Sequence, residues 1–308
     1  MMKAFLVALL LLPLTIFAAE KPVVPRLPSD LKITDNIVFK QIGDTKLELM
    51  FFQPLEKKFA QAPLVIYIHG GGWGKGDRYK ALRKDIIEII RSLNQQGVSC
   101  ASIEYRLADG GDSKVIDSVA DCKDAVRFLA AHAKEYDFDP DRFGTFGSSA
   151  GGHLTLVTAL GNDQDYPLTL PPPESAVKIR CVAAYYPLVS FVDTNLMKGS
   201  NFERTQRMIP LLGGLMEEHR ETALKLSPIN LLSKSSPAIF LAHGDKDKVL
   251  SYKNSLAMQD AAKAKQIPVE CLISEGADHG FSGNDIKPTV AEINRRTVEF
   301  FLKHLTKP

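Results

Sequence analysis

From Pro63 onward, short continuous apolar runs alternate with longer stretches in which apolar positions recur every third or fourth residue. An unbroken apolar run bounded by turn residues predicts a strand buried on both faces, and the helical spacing predicts an amphipathic helix packed against it. Strands are therefore expected at 63–68, 98–105, 142–146, 182–186, 238–243 and 269–274, and helices at 79–96, 113–136, 150–160, 251–265 and 288–305. The last helix points Val290, Ile293, Val298, Phe301 and Leu305 toward the core. Upstream, 33–41 and 46–52 flank the turn Gly43-Asp44 and predict an opening hairpin. Regular strand–helix alternation implies an α/β fold, a mostly parallel central sheet with helices on both faces.

Two stretches break the rhythm. Residues 161–178 hold four prolines and no periodicity, which predicts a loop. Residues 191–235 carry short amphipathic pieces near 208–215 and 217–226. A connection of that length inside a domain suggests a small lid insertion. No internal repeat or linker divides the chain, so residues 20–308 are expected to form one domain, led in by the Pro-rich stretch 20–30.

The first residues follow another pattern. Met1-Met2-Lys3 precedes an uncharged apolar run over 4–19 that contains Pro13 and ends in Ala18-Ala19. The run is shorter than the roughly 20 residues of a spanning helix, and a basic start with small residues at the end predicts a signal peptide over 1–19. The expectation is export, periplasmic or secreted, without stable membrane insertion after cleavage.

Charge adds a constraint. Lys and Arg total 38 against 36 Asp and Glu, a net charge of +2, and only Lys3 lies in the leader. Such balance argues against a nucleic-acid or polyanion partner. Cys100, Cys122, Cys181 and Cys271 lie far apart without a CxxC pair, so no metal site is expected and buried thiols are the default. Export would permit one disulfide, with the pairing open.

The chemistry concentrates in three places. Gly147-Ser148-Ser149-Ala150-Gly151 has the G-x-S-x-G form, set between a predicted strand and a predicted helix. That context puts Ser149 on a sharp turn with its hydroxyl above the sheet edge. His69-Gly70-Gly71-Gly72-Trp73 follows the first buried strand. Attack by a serine on a carbonyl builds negative charge on oxygen, and exposed backbone N–H groups must already face it. The expected donors are Ala150 together with Gly70 or Gly71.

A serine also needs a base held in the correct tautomer by a carboxylate. Of seven histidines, His132 and His304 fall among charged helix residues, His219 in the insertion, His153 on the helix after Ser149, His69 in the glycine loop, and His243 at a strand end. His279, in GADHGF, sits in a loop late in the chain, where the order Ser…Asp…His requires the base. For the acid, HGDKDKV offers Asp247, with Asp245 the reserve because it suits a turn cap; Asp278 adjoins His279 too closely.

HGGGW, EYRLA, DCKDAVRFL, GSSAGGH, HGDKDKV and GADHGF together resemble the α/β-hydrolase serine esterases. More narrowly they resemble secreted acetylxylan/feruloyl esterase-like members near the hormone-sensitive-lipase-like group. The resemblance runs from about residue 60 to 305. It implies Ser149 as nucleophile, His279 as base, Asp247 as acid, and Gly70, Gly71 and Ala150 as oxyanion donors. Tyr105 and Arg106 would be structural, and Trp73 is expected at the substrate. The implied reaction is hydrolysis of short acyl or feruloyl esters, on small molecules or polysaccharides, through an acyl-enzyme without cofactor or metal. Alternatives are a formamidase or amidase, a short-chain lipase, or a non-catalytic binding module on the same fold. The oligomeric state stays open.

Overall fold

Leu64, Ile66 and Ile68 pack on one side of the sheet, and Val65 and Tyr67 on the other. The period of two explains why this segment is apolar throughout: each face is covered. The computed structural model describes residues 25–174, 177–200, 203 and 205–306, so the leader expected at 1–19 lies outside the described residues.

The chain opens with an antiparallel hairpin, β1 (Lys32–Ile42) and β2 (Thr45–Gln53). It continues through β3 (Ala62–Ile68), α1 (Lys84–Gln95), β4 (Ser99–Ile103), α2 (Val115–Ala131), β5 (Phe138–Ser148), α3 (Ala150–Leu160) and β6 (Ile179–Tyr185). After the insertion, with α4 (Ile209–Leu212) and α5 (Arg220–Lys225), come β7 (Ala238–Gly244), α6 (Lys253–Ala264), β8 (Val269–Ser274) and α7 (Val290–Leu305). The eight strands form one sheet in the order β1-β2-β4-β3-β5-β6-β7-β8. Pairing is parallel from β4 across to β8, and β2 joins β4 antiparallel. This is the mostly parallel sheet between helices that the alternating pattern predicts, in the α/β-hydrolase architecture that the motif resemblance implies.

Residues of α1 and α7 share a core with one face, while α2, α3 and α6 contribute to cores on the other. α1 has no side-chain N-cap bond, yet it buries Ile86, Ile87, Ile89, Ile90 and Leu93. Each such side chain contributes roughly 1.5–3 kcal/mol by leaving water, which outweighs the missing cap of about 1 kcal/mol.

The departures from the periodicity have local causes. The helix expected over 79–96 is broken into a 3₁₀ turn, Arg78–Leu82, and α1, with Arg83 extended between them. Arg78 is clamped by Asp35, Glu48 and Glu104, which ties the turn to the sheet edge and sets it apart from α1. On α7 the buried stripe is Ile293, Thr297, Phe300, Phe301 and Leu305, with Val290 and Val298 half-buried. Thr297 earns its inward place by bonding the Ile293 carbonyl and the Tyr185 hydroxyl.

Among its described residues the Pro-rich stretch holds a short 3₁₀ turn, Asp163–Asp165, and no longer helix or strand. Lys123 anchors it through the Thr158 and Gly161 carbonyls and the Asp163 carboxylate, and Asp124 accepts the N–H groups of Thr169 and Leu170. All four cysteines are free thiols, three buried and Cys271 half-buried. Burial pushes each thiol up, that of Cys271 to about 11.

Candidate active site

β5 ends at Ser148 and α3 begins at Ala150, so Ser149 alone makes the turn between them, at φ 57° and ψ −122°. A side chain in that left-handed region is strained, and such strain concentrates where a group must be presented rather than packed. The crowding around the turn explains its glycines. A Cβ on Gly151 would lie 2.1 Å from the Ile68 carbonyl oxygen, so only glycine lets α3 seat against the end of β3.

Two loops bring partners to Ser149. The loop after β7 carries Asp247, the loop after β8 carries His279, and the N–H of Lys246 donates to the Ala277 carbonyl between them. His279 Nε2 stands 3.0 Å from Ser149 Oγ, and His279 Nδ1 stands 2.7 Å from Asp247 Oδ2. A carboxylate only accepts, so Nδ1 carries the hydrogen and Nε2 presents a lone pair to the serine hydroxyl.

Asp247 has a fully buried side chain. Its Oδ1 accepts the N–H groups of Val249 and Leu250 at 2.8 Å each. Burial alone would raise its pKa, but donation from His243, His279 and the Leu250 N–H outweighs it and holds the carboxyl well below the usual carboxylate range. Asp245, the reserve, accepts the Gly276 N–H and pairs with Lys246, and Asp278 accepts the N–H groups of His279 and Lys248. Both brace the two loops, and neither joins the relay.

For the oxyanion, the Ala150 N–H opens α3 and has no carbonyl behind it within the helix. The glycine loop comes against the nucleophile: a Cβ on Gly70 would lie 2.4 Å from the Ser148 carbonyl oxygen and 3.3 Å from Ser149 Cβ. Gly70, Gly71 and Ser149 line the same cavity of about 930 Å³, into which His279 also faces.

His69 supports this loop. It is fully buried, its ring stacks on Tyr105 at 4.3 Å, and the Tyr105 hydroxyl donates to its carbonyl at 2.8 Å. Arg106 forms a two-point pair with Asp121. His132, His219 and His304 are half-buried and away from the relay.

Trp73 borders the cavity, is 1% exposed, and donates its Nε1–H to His153 Nδ1 at 3.1 Å. His153 in turn donates from Nε2 to the Leu226 carbonyl at 2.7 Å in the insertion. The indole therefore pins the glycine loop to α3 and, through His153, to the insertion. Burial pushes the pKa of His153 down to about 4, against the pull of the Leu226 carbonyl.

Two residues of the site carry no motif signal for their roles. Tyr186, at φ 37°, stands directly after β6 with its ring 4.6 Å from that of His279. His243 reaches the second side of Asp247, with Nε2 3.2 Å from Oδ2. Its position four residues before the acid is visible in sequence, but its contact depends on how the loop folds back.

A family model described as BD-FAE matches residues 49–262. Among curated proteins, the chain is 27% identical to Esterase LipC of Mycobacterium tuberculosis, over 71% of this chain and 53% of that protein. It is 28% identical to the probable carboxylic ester hydrolase LipM of the same organism, over 65% of this chain and 44% of the relative. The chain thus spans about half the length of these curated relatives. Among solved structures, a thermophilic esterase of Thermogutta terrifontis with propionate bound superposes with a TM-score of 0.69 at 22% identity, covering 91% of this chain and 97% of that one. A truncated carbohydrate esterase from gut microbiota gives 0.70 at 21% identity, over 90% and 97%. At these identities the likeness establishes the fold.

Proposed function

The chain belongs to the BD-FAE family, and we propose that it hydrolyses carboxylic esters through an acyl-serine intermediate. The observation that carries the reading is the continuous relay Ser149 Oγ–His279 Nε2, 3.0 Å, and His279 Nδ1–Asp247 Oδ2, 2.7 Å, opening into a cavity. The esterase names of its relatives support it.

In the first half-reaction Ser149 Oγ bonds to the ester carbonyl carbon as its proton passes to His279 Nε2. The carbonyl oxygen becomes the oxyanion, facing the N–H groups of Ala150 and the glycine loop. On collapse the bond to the alkoxy oxygen breaks, and the imidazolium gives its proton to the departing alcohol. Water then loses a proton to Nε2 and attacks the acyl carbon. The second collapse expels Ser149 Oγ, which takes the proton back, and frees the acid. Asp247 stays ionised throughout, consistent with its depressed pKa.

The substrate class we infer is short acyl or feruloyl esters of carbohydrates. Val249, Leu250, Pro210 and Leu211 give the cavity apolar lining, suited to a small acyl group, and Lys75, Arg83 and Asp85 give it polar lining, suited to a hydroxyl-rich alcohol. The leader read at 1–19 supports an exported enzyme that meets polymeric esters.

The test is a panel of p-nitrophenyl acetate, butyrate and octanoate with acetylated xylan and methyl ferulate, run beside Ser149→Ala. Turnover in the wild type should favour the short or feruloyl esters, and Ser149→Ala should lose on the order of 10³-fold or more. Preference for octanoate would overturn the substrate class, and an active Ser149→Ala would overturn the mechanism.

A further inference from the structure

The peptide between Gly70 and Gly71 is gripped from behind. Its carbonyl oxygen accepts from Lys80 Nζ at 2.7 Å and from His69 Nδ1 at 3.0 Å. A carbonyl oxygen only accepts, so His69 Nδ1 carries a hydrogen there. Lys80 rises from the 3₁₀ turn and is threaded closely into the glycine loop. A Cβ on Gly71 or on Gly76 would lie 2.9 Å from its Nζ, and Gly71 itself sits at φ 139°. Among the described residues Lys80 makes no ion pair; its charge is spent on this carbonyl.

In a planar trans peptide the N–H points opposite to the C=O. Holding the Gly70 oxygen against Lys80 and His69 therefore turns the Gly71 N–H the other way. The neighbouring Gly70 is the residue packed against Ser148 and Ser149. A cation on the carbonyl also polarises the peptide, which strengthens its N–H as a donor to negative charge. His69 cannot supply that charge, since burial pushes its pKa down to about 4 and leaves it neutral near pH 7.

We propose that Lys80 is a positioning residue of the oxyanion site: its ammonium fixes and polarises the Gly70–Gly71 peptide so that the Gly71 N–H meets the developing oxyanion. The proposal rests on the acyl-serine reading. It places part of the transition-state stabilisation on a lysine that acts through the Gly70 carbonyl.

The test compares Lys80→Met, Lys80→Gln and Lys80→Arg with the wild type, after fluorophosphonate titration to count competent serines. Three readouts are taken: kcat and KM for p-nitrophenyl butyrate, Ki for a trifluoromethyl ketone that adds to the serine as an anionic tetrahedral adduct, and Ki for the matching unreactive methyl ketone. Lys80→Met should lose about 10- to 100-fold in kcat with little change in KM, a fraction of what deleting an oxyanion donor costs. The trifluoromethyl ketone should weaken by a matching factor and the methyl ketone should not. Lys80→Gln keeps a donor without charge and should fall between Lys80→Met and Lys80→Arg, which keeps both. Equal weakening of both ketones would reduce Lys80 to a structural role, and kcat within about twofold in all three variants would remove the proposal. A wild type without ester turnover would instead sink the acyl-serine reading beneath it.

Discussion

His243 Nε2 lies 3.2 Å from Asp247 Oδ2, the same oxygen that accepts from His279 Nδ1 at 2.7 Å. The other neighbour of His243 Nε2 is the Leu250 carbonyl at 2.9 Å, which only accepts, so Nε2 is the protonated nitrogen and Nδ1 takes the Ser255 hydroxyl at 2.8 Å. A second, non-reacting histidine thus holds the acid from behind. His243→Phe should remove this support and leave buried polar groups unpaired, costing roughly 2–3 kcal/mol of stability and on the order of tenfold in kcat. His243→Gln, which keeps a donor, should recover part of the kcat. Denaturant titration with steady-state kinetics checks both, and a fully active His243→Phe would contradict it.

The two tightest glycines should fail in different ways. Gly151→Ala places a methyl 2.1 Å from the Ile68 carbonyl oxygen, so α3 must lift from β3 at a cost of about 2–4 kcal/mol in unfolding free energy. Gly70→Ala presses on the Ser148 carbonyl and Ser149 Cβ, and its loss should appear as roughly 10²-fold in kcat. Urea melts compared with active-site-titrated kcat separate the two.

Acid should weaken the fold before it reaches the relay's carboxylate. His69 and His153 are pushed from 6.5 to about 4 by burial. The unfolded chain takes up protons at both sites below about 6.5, while the folded chain resists until about 4. Their contribution to stability is therefore complete above pH 6.5 and is lost progressively down to pH 4, up to roughly 3 kcal/mol per site. Unfolding free energies at pH 7.5, 5.5 and 4 should show the decline, and His153→Asn should flatten it. A wild-type curve that is level across that range would count against the burial argument.

Trp73 links the glycine loop, α3 and the insertion through its hydrogen bond to His153 and the bond of His153 to the Leu226 carbonyl. Trp73→Phe keeps most of the packing but leaves His153 Nδ1 without its donor, an expected cost of about 1–3 kcal/mol. Because the indole is buried, KM for p-nitrophenyl acetate should stay within about twofold. A large rise in KM with stability unchanged would instead assign the indole a direct role at the substrate.

The elements that agree between sequence and structure are those whose signal is local. α3 begins at Ala150 and ends at Leu160 as expected, because the G-x-S-x-G turn and Gly161 punctuate it on both sides. β8 likewise coincides with its apolar run, Val269–Ser274. The turn Arg78–Leu82 does not agree, because the carboxylates that hold Arg78 come from β1, β2 and the residue after β4. The hydrogen bond of Trp73 is illegible for the same reason, since its partner stands 80 positions away.

The chain's own pattern determines the alternating sheet, the strained turn that presents Ser149, and the chain order in which a base and an acid must follow it. These follow from burial periodicity and backbone restrictions, which act over a few residues and leave their mark in composition. Tertiary structure alone decides which carboxylate of HGDKDKV meets His279, that His243 backs it, that Trp73 turns inward, and that Lys80 closes on the Gly70 carbonyl. Those outcomes depend on distances between loops brought together at one edge of the sheet, and no periodicity along the chain encodes a distance.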